Sequence, residues 1–126
     1  MIVCDASVLA TALGDDGPNG TLARERLLGH ELLAPELIDI EVLSVWRKTL
    51  SDDRRAELAI TDLKQITLTR VPHRALVDRC WELRHNLTAY DAAYVAVAEM
   101  FNATLLTADL RLARSTGPIC KIATVP

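Results

Sequence analysis

Four carboxylates stand in apolar surroundings along this chain: Asp5, Glu41, Asp91 and Asp109. Burying an unpaired carboxylate costs several kcal/mol or forces it to take up a proton. If folding gathers these four, their mutual repulsion calls for a cation. Oxygen donors without a supporting His or Cys suit a hard ion, Mg²⁺ or Mn²⁺, rather than zinc. Held in a site open on one side, such an ion polarises a phosphoryl oxygen and eases ionisation of an attacking water. The chemistry expected of these residues is therefore phosphodiester hydrolysis, on the condition that they converge.

Each acid also has a local role available. Asp5 closes the apolar run Met1–Cys4 and precedes the charge-free stretch Ala6–Gly14, which puts it at a strand end and also makes it a good helix N-cap. Asp109 repeats the arrangement between Ala103–Thr107 and Leu110–Arg114. Asp91 closes Thr88-Ala89-Tyr90-Asp91, which has capping-box spacing, but it heads the wholly apolar run Ala92–Ala98. Glu41 shares a helix face with Leu37, Ser44, Val45 and Lys48, so an ion pair with Lys48 or another base is its alternative. Leu37, Ile38, Ile40, Val42, Leu43, Val45 and Trp46 surround most of that helix, which is expected to be largely buried, with Glu36, Asp39 and Arg47 on a solvated side.

The elements that must position these residues alternate. Ile2–Cys4, His30–Ala34, Thr67–Val71, Ala103–Thr107 and Ile119–Val125 read as strands. Helical patterns cover Ala6–Leu13, Thr21–Gly29, Glu36–Leu50, Ser51–Ile66, Pro72–Asn86, Ala89–Phe101 and Leu110–Ser115. Pro35 and Pro72 suit first-turn positions, and Ser51 with Asp52 and Asp53 reads as a helix start. The alternation predicts an α/β fold with a mostly parallel sheet covered on both faces; the last strand fits an edge in either direction. In such sheets ligands bind at the carboxyl ends of the strands, where Asp5 and Asp109 are expected.

Composition narrows the classes. At 126 residues the chain is expected to be a single domain spanning 1–126. Half the residues are hydrophobic (50%) and a quarter charged (25%), which argues against disorder, and aromatics are 4%, so Leu, Val, Ile and Ala must build the core. The net charge of −3 excludes a wholesale polycation, although 11 of the 14 basic residues are Arg, whose planar fork suits phosphate. The longest charge-free runs are nine residues, too short to cross a membrane, and the apolar start lacks the basic flank of a secretory signal. Cys4, Cys80 and Cys120 are far apart in apolar company and read as buried reduced thiols of a cytoplasmic protein. His30, His73 and His85 have no zinc-ligand spacing.

Taken together, Met1-Ile2-Val3-Cys4-Asp5-Ala6-Ser7, Ala34-Pro35-Glu36-Leu37-Ile38-Asp39-Ile40-Glu41-Val42, Leu87-Thr88-Ala89-Tyr90-Asp91-Ala92-Ala93-Tyr94 and Leu106-Thr107-Ala108-Asp109-Leu110-Arg111-Leu112 resemble the successive motifs of PIN-domain proteins. Size and motif order are most similar to the VapC-type toxins of prokaryotic toxin–antitoxin pairs. The resemblance implies a three-layer α/β/α fold with a central sheet of four to five strands, an acidic Mg²⁺ or Mn²⁺ pocket and cleavage of single-stranded RNA. It implies that Asp5 and Asp91 are the metal ligands, that Glu41 and Asp109 complete the pocket, often through water, and that Ser7 and Thr107 are secondary positions beside it. It further implies a homodimer and a small cognate antitoxin whose tail occupies the acidic groove, commonly with an Arg. The apolar surplus of Glu36–Leu50 and Ser51–Ile66 fits an exposed patch for such a partner or, alternatively, a larger core. Arg111 and Arg114, and Arg47, Lys48, Arg54 and Arg55, offer positive charge near a polyanion or ordinary solvated faces.

Three rivals remain open. One is a non-catalytic α/β interaction domain in which the acids cap helices and pair with Arg. A phosphoacceptor or phosphatase with a nucleophilic Asp5 is disfavoured by Ser at position 7, where one such group carries a second Asp, and by the lack of a strand-end Lys after Thr104–Thr107. A PIN nuclease of RNA maturation shares the chemistry and differs in biology.

Overall fold

A computed structural model of the chain describes residues 1–125. Its elements run β1 (Ile2–Cys4), α1 (Ala6–Gly14), α2 (Pro18–Leu27), β2 (Leu32–Pro35), α3 (Ile38–Thr49), α4 (Asp53–Gln65), β3 (Thr69–Val71), a 3₁₀ turn (His73–Leu76), α5 (Val77–Glu82), α6 (Ala89–Met100), β4 (Thr104–Thr107), α7 (Leu110–Ala113) and β5 (Ile122–Thr124). The five strands form one sheet in the order β3-β2-β1-β4-β5, and every pairing is parallel. The last strand is thus a parallel edge, registered Thr107 opposite Thr124.

Parallel strands need crossovers, and the helices supply them on both sides of the sheet. One set is built on α1, which packs against α2, α3 and α4. The other is α6, which lies on β1, β2 and β4 and carries α5 on its far side. Ala92 through Ala98 are all buried, and the small alanines let α6 approach the strands closely. On the other side Gly14 does the same work: a side chain there would meet the Trp46 indole at 2.5 Å. Trp46 Nε1 donates to the Ala10 carbonyl at 3.0 Å, which locks α3 against α1. The core is aliphatic, centred on Val3, Leu9, Leu33, Ile38, Leu105 and Leu106.

Chain order places the site. β1 lies at the centre, the chain moves outward through β2 and β3, then returns to the other side of β1 for β4 and β5. The crevice at the carboxyl ends of β1 and β4 is the point where strand order reverses, the usual ligand position in open parallel sheets.

Several sequence expectations change. Pro35 does not open a helix; it ends β2, opposite Val71, and Pro72 precedes the 3₁₀ turn as its cap. Asp52, not Ser51, caps α4, accepting the Arg55 N–H at 3.0 Å, because its backbone is the extended residue before the first turn. Pro72–Asn86 is not one helix but a 3₁₀ turn followed by the short α5. Of the apolar residues in α3, only Ile38, Val42 and Trp46 are buried, while Ile40 and Leu43 are exposed. A single helix face meets the core, so the surplus lies outside it. Asp39, assigned to a solvated side, is half-buried and takes a two-pronged Arg70 at 2.7 and 2.9 Å. Cys4 is buried, with its thiol pushed up to about 12 by burial and then by Asp5; Cys80 and Cys120 are only half-buried.

Candidate active site

The β1 backbone delivers Asp5 to the crevice. Its N–H bonds the Leu106 carbonyl at 3.1 Å, and its carbonyl accepts Leu9 N–H, so the residue is strand end and helix cap together. The carboxylate is nearly buried, at 8% exposure, and both oxygens are held. Oδ1 accepts Ser7 Oγ at 2.8 Å and Val8 N–H at 3.0 Å; Oδ2 accepts the Thr107 hydroxyl. Thr107, fully buried at the end of β4, also accepts the Asp109 N–H at 3.0 Å. Asp109 caps α7 by accepting the Arg111 N–H at 2.9 Å. Its nearest cation is the Arg111 side chain, 3.6 Å away and 94% exposed, which solvent screens.

Asp91 is delivered by the start of α6. Its N–H donates to the cap Thr88 Oγ1 at 3.1 Å, so the capping geometry read from the sequence is present. Burial raises its carboxyl above the ordinary value, with the charges of Asp109 and Asp5 adding to the shift and Thr88 and Arg111 opposing it. Glu41 comes from α3. Its Oε1 accepts the Tyr94 hydroxyl at 2.7 Å, and no ion pair to Lys48 forms. Burial raises the Glu41 carboxyl, the Tyr94 bond opposes this, and Asp91 and Asp5 push it further up.

All four acids line one cleft of about 690 Å³, with Ser7 and Lys48 also on its wall. Thr107 lies behind Asp5 instead of facing the cleft, where it acts on the carboxylate through its hydroxyl. Among the described residues no ion pair reaches Asp5, Glu41 or Asp91, although other acids (Asp16, Asp39 and Glu99) each have an Arg. The negative charge of the cleft is therefore largely uncompensated, and it adds to the rise that burial already gives the Asp91 and Glu41 carboxyls.

The gathering is looser than a four-carboxylate cage. Among the described residues no three His, Cys, Asp or Glu side chains lie close enough together to hold a metal ion directly. The donor set is oxygen only, which suits a hard divalent cation held by one or two carboxylates with the rest of its shell water. Zinc, which favours His and Cys ligands, is a poorer match to a cleft lined by neither.

Tyr94 and Tyr90 also belong to the site, although the sequence does not mark them as functional. Tyr94 falls within the apolar run that Asp91 heads and is buried, at 2% exposure; its hydroxyl partner lies on another helix, which helical spacing cannot reveal. Tyr90 lines the cleft beside Asp91 and is 64% exposed.

Comparisons with known proteins follow this geometry. A family model described as PIN domain matches residues 2–117. Ribonuclease VapC9 of Mycobacterium tuberculosis is 41% identical over 130 residues, covering 100% of this chain and 99% of that protein. Ribonuclease VapC1 of the same organism is 37% identical over 125 residues, covering 95% and 94%. Among solved structures, Rickettsia felis VapBC2 bound to a DNA fragment from its promoter matches with a TM-score of 0.69 at 14% identity, covering 100% of both chains. Mycobacterium tuberculosis VapC20, described as a toxin cleaving the sarcin-ricin loop, matches with a TM-score of 0.65 at 16% identity, covering 83% and 87%.

Proposed function

The chain belongs to the PIN-domain family, and from that premise we propose that it is a metal-dependent endoribonuclease, the toxin of a toxin–antitoxin pair restrained by a small cognate antitoxin. The relatives that match along the whole chain are named ribonucleases, and one structural neighbour is a VapBC pair. The observation that carries the chemistry is the cleft where Asp5, Glu41, Asp91 and Asp109 meet without Lys or Arg ion pairs strong enough to neutralise them.

In this reading Asp5 and Asp91 hold the cation, and Glu41 and Asp109 act through its water shell. Bound Mg²⁺ or Mn²⁺ supplies Lewis acidity toward the phosphoryl oxygen and eases ionisation of water. The chain's own residues do the positioning. Ser7, Val8 N–H and Thr107 fix the Asp5 carboxylate, so little reorganisation is needed when the phosphate arrives. Tyr94 holds one oxygen of Glu41, leaving the other to orient the attacking water and accept its proton. Lys48, on the cleft wall, offers positive charge to an RNA phosphate.

Ile40 and Leu43 on α3 and Leu58 on α4 are exposed large apolar residues, which supports a docking partner over a larger core. On this reading the chain pairs with a second copy and binds the antitoxin, whose tail enters the acidic groove. Its place is the cytoplasm. Among the described residues no helix is long and apolar enough to cross a membrane.

The test is cleavage of single-stranded RNA by the purified chain. Activity should require Mg²⁺ or Mn²⁺, disappear on chelation and disappear in Asp5→Asn and Asp91→Asn. Equal cleavage by both variants identifies a contaminating nuclease and removes the reading. Growth arrest on expression, relieved by co-expressing the adjacent small open reading frame, tests the toxin assignment.

A further inference from the structure

We infer that the groove beside the acidic cleft is a stacking platform for an unpaired RNA base next to the phosphate in the cleft; this rests on the ribonuclease reading above. The chain has two Trp, two Tyr and one Phe. Trp46 and Tyr94 are buried and Phe101 is half-buried, whereas Trp81 and Tyr90 are 67% and 64% exposed. Both exposed rings line one groove of about 530 Å³ between α5 and the start of α6. Tyr90 lines the acidic cleft as well, so its side chain is a wall common to the groove and the cleft.

Charge favours a nucleic acid in this place. No carboxylate is among the described residues lining the groove; the cation there is the Arg84 guanidinium, while His73 uses its Nε2 to accept the Leu37 N–H at 2.9 Å. The Arg84 guanidinium lies over one face of the Trp81 ring, 4.4 Å from its centroid, and donates to the Trp81 backbone carbonyl at 2.9 Å, which holds the cation there. The other face of this exposed indole is left for a base, and single-strand binders combine such rings with cations that meet the backbone. The placement also answers a difficulty of the cleft, whose four acids repel RNA except where the cation sits. Binding strength must then come from a neighbouring surface free of carboxylates, and this groove adjoins the cleft.

The experiment uses the whole chain carrying Asp5→Asn in Mg²⁺, so that RNA is bound without being cut, and a single-stranded oligoribonucleotide as probe. Because Trp46 is buried, quenching by the oligonucleotide reports on Trp81. The expected results are quenching by the oligonucleotide, much less by an abasic version of equal charge, and affinity roughly tenfold lower in Trp81→Leu and in Tyr90→Leu. Trp81→Phe and Tyr90→Phe, which keep a ring, should retain most of the affinity. Equal affinity for normal and abasic probes overturns the proposal without using any variant. So does unchanged affinity in both Leu variants, or a fall from dimer to monomer in Trp81→Leu with RNA affinity intact, which would make the groove a face between copies. The two readings fail separately: a wild-type chain that cuts RNA while the Leu variants bind normally loses the platform alone. One that stacks RNA but never cuts it loses the nuclease alone.

Discussion

The Tyr94 hydroxyl donates to Glu41 Oε1 at 2.7 Å, joining residues 53 apart in sequence across the cleft from α6 to α3. Tyr94→Phe removes this bond and keeps the ring packing. Cleavage is expected to fall roughly 10- to 100-fold, the range for lost outer-shell partners of a metal site. The Tyr94 bond favours ionised Glu41 against burial, so its removal raises the Glu41 carboxyl further. The acid limb of the pH–rate profile should therefore move to higher pH; a limb that stays in place means Glu41 is not positioned by Tyr94.

Thr107 donates a hydrogen bond to Asp5 and accepts the Asp109 N–H, so one hydroxyl serves both strand-end acids. Thr107→Val is nearly isosteric and removes both bonds in a fully buried place. Urea unfolding at pH 7 should register a loss of about 1–3 kcal/mol. Thr107→Ser, which retains the hydroxyl, should recover activity even where it does not recover all the packing. Full activity in Thr107→Val with loss in Thr107→Ser would assign the effect to the methyl group and not to the hydroxyl.

Cation binding should stabilise the chain by relieving repulsion among the cleft acids. With free Mg²⁺ or Mn²⁺ at a hundred times its Kd, linkage gives about 2.7 kcal/mol. Thermal melts should show a higher Tm with the ion, reversal by chelator and a much smaller shift in Asp91→Asn. A wild-type Tm indifferent to both ions would remove the metal from the cleft.

Glu99 pins α6 to α5 and to the loop before β5, taking Arg79 at 2.6 and 3.1 Å and the Ile119 N–H at 2.8 Å. Burial works against its charge, but Arg79 and the Ile119 N–H outweigh it and hold the carboxyl below its ordinary 4.5. A depressed folded-state pKa contributes stability above the unfolded value, which is lost as pH falls through the folded one. Glu99→Gln is thus expected to cost about 1.5–3 kcal/mol at pH 7. The gap should close as the pH is taken below 4.5. Denaturant titrations at neutral and acid pH read it, and an identical gap at both would trace the loss to shape.

Gly20 sits where α2 crosses the end of α1, and a side chain there would lie 1.8 Å from the Asp15 carbonyl oxygen. The neighbour is backbone, so it cannot rotate away. Gly20→Ala is expected to destabilise by about 1–3 kcal/mol. Gly20 does not line the acidic cleft, and kcat of the folded fraction should hold.

Local pattern carried much of this protein into view. Strand β1 and helix α6 were legible because apolar runs and capping residues act within a few positions: Asp5 and Asp109 do cap α1 and α7, and Thr88 does cap α6. The apolar setting of the four acids was also legible, since it is a property of the chain itself, as was Arg111 two residues beyond Asp109. Pro35 was misread because a fixed φ suits a strand end as well as a helix start, and the choice between them was made by pairing with Val71. Burial of α3 was overestimated because hydrophobicity says how much surface seeks cover, not how much core is there to cover it.

Which atoms meet was settled elsewhere. The crossover that returns the chain to β1 for β4 brings Thr107 onto Asp5, and the packing of α6 and α3 around the cleft brings Tyr94 onto Glu41. Those partners lie 102 and 53 residues apart. A hydrogen bond acts over about 3 Å. At such separations periodicity holds no information about it, and sheet order and helix packing supply the whole of it.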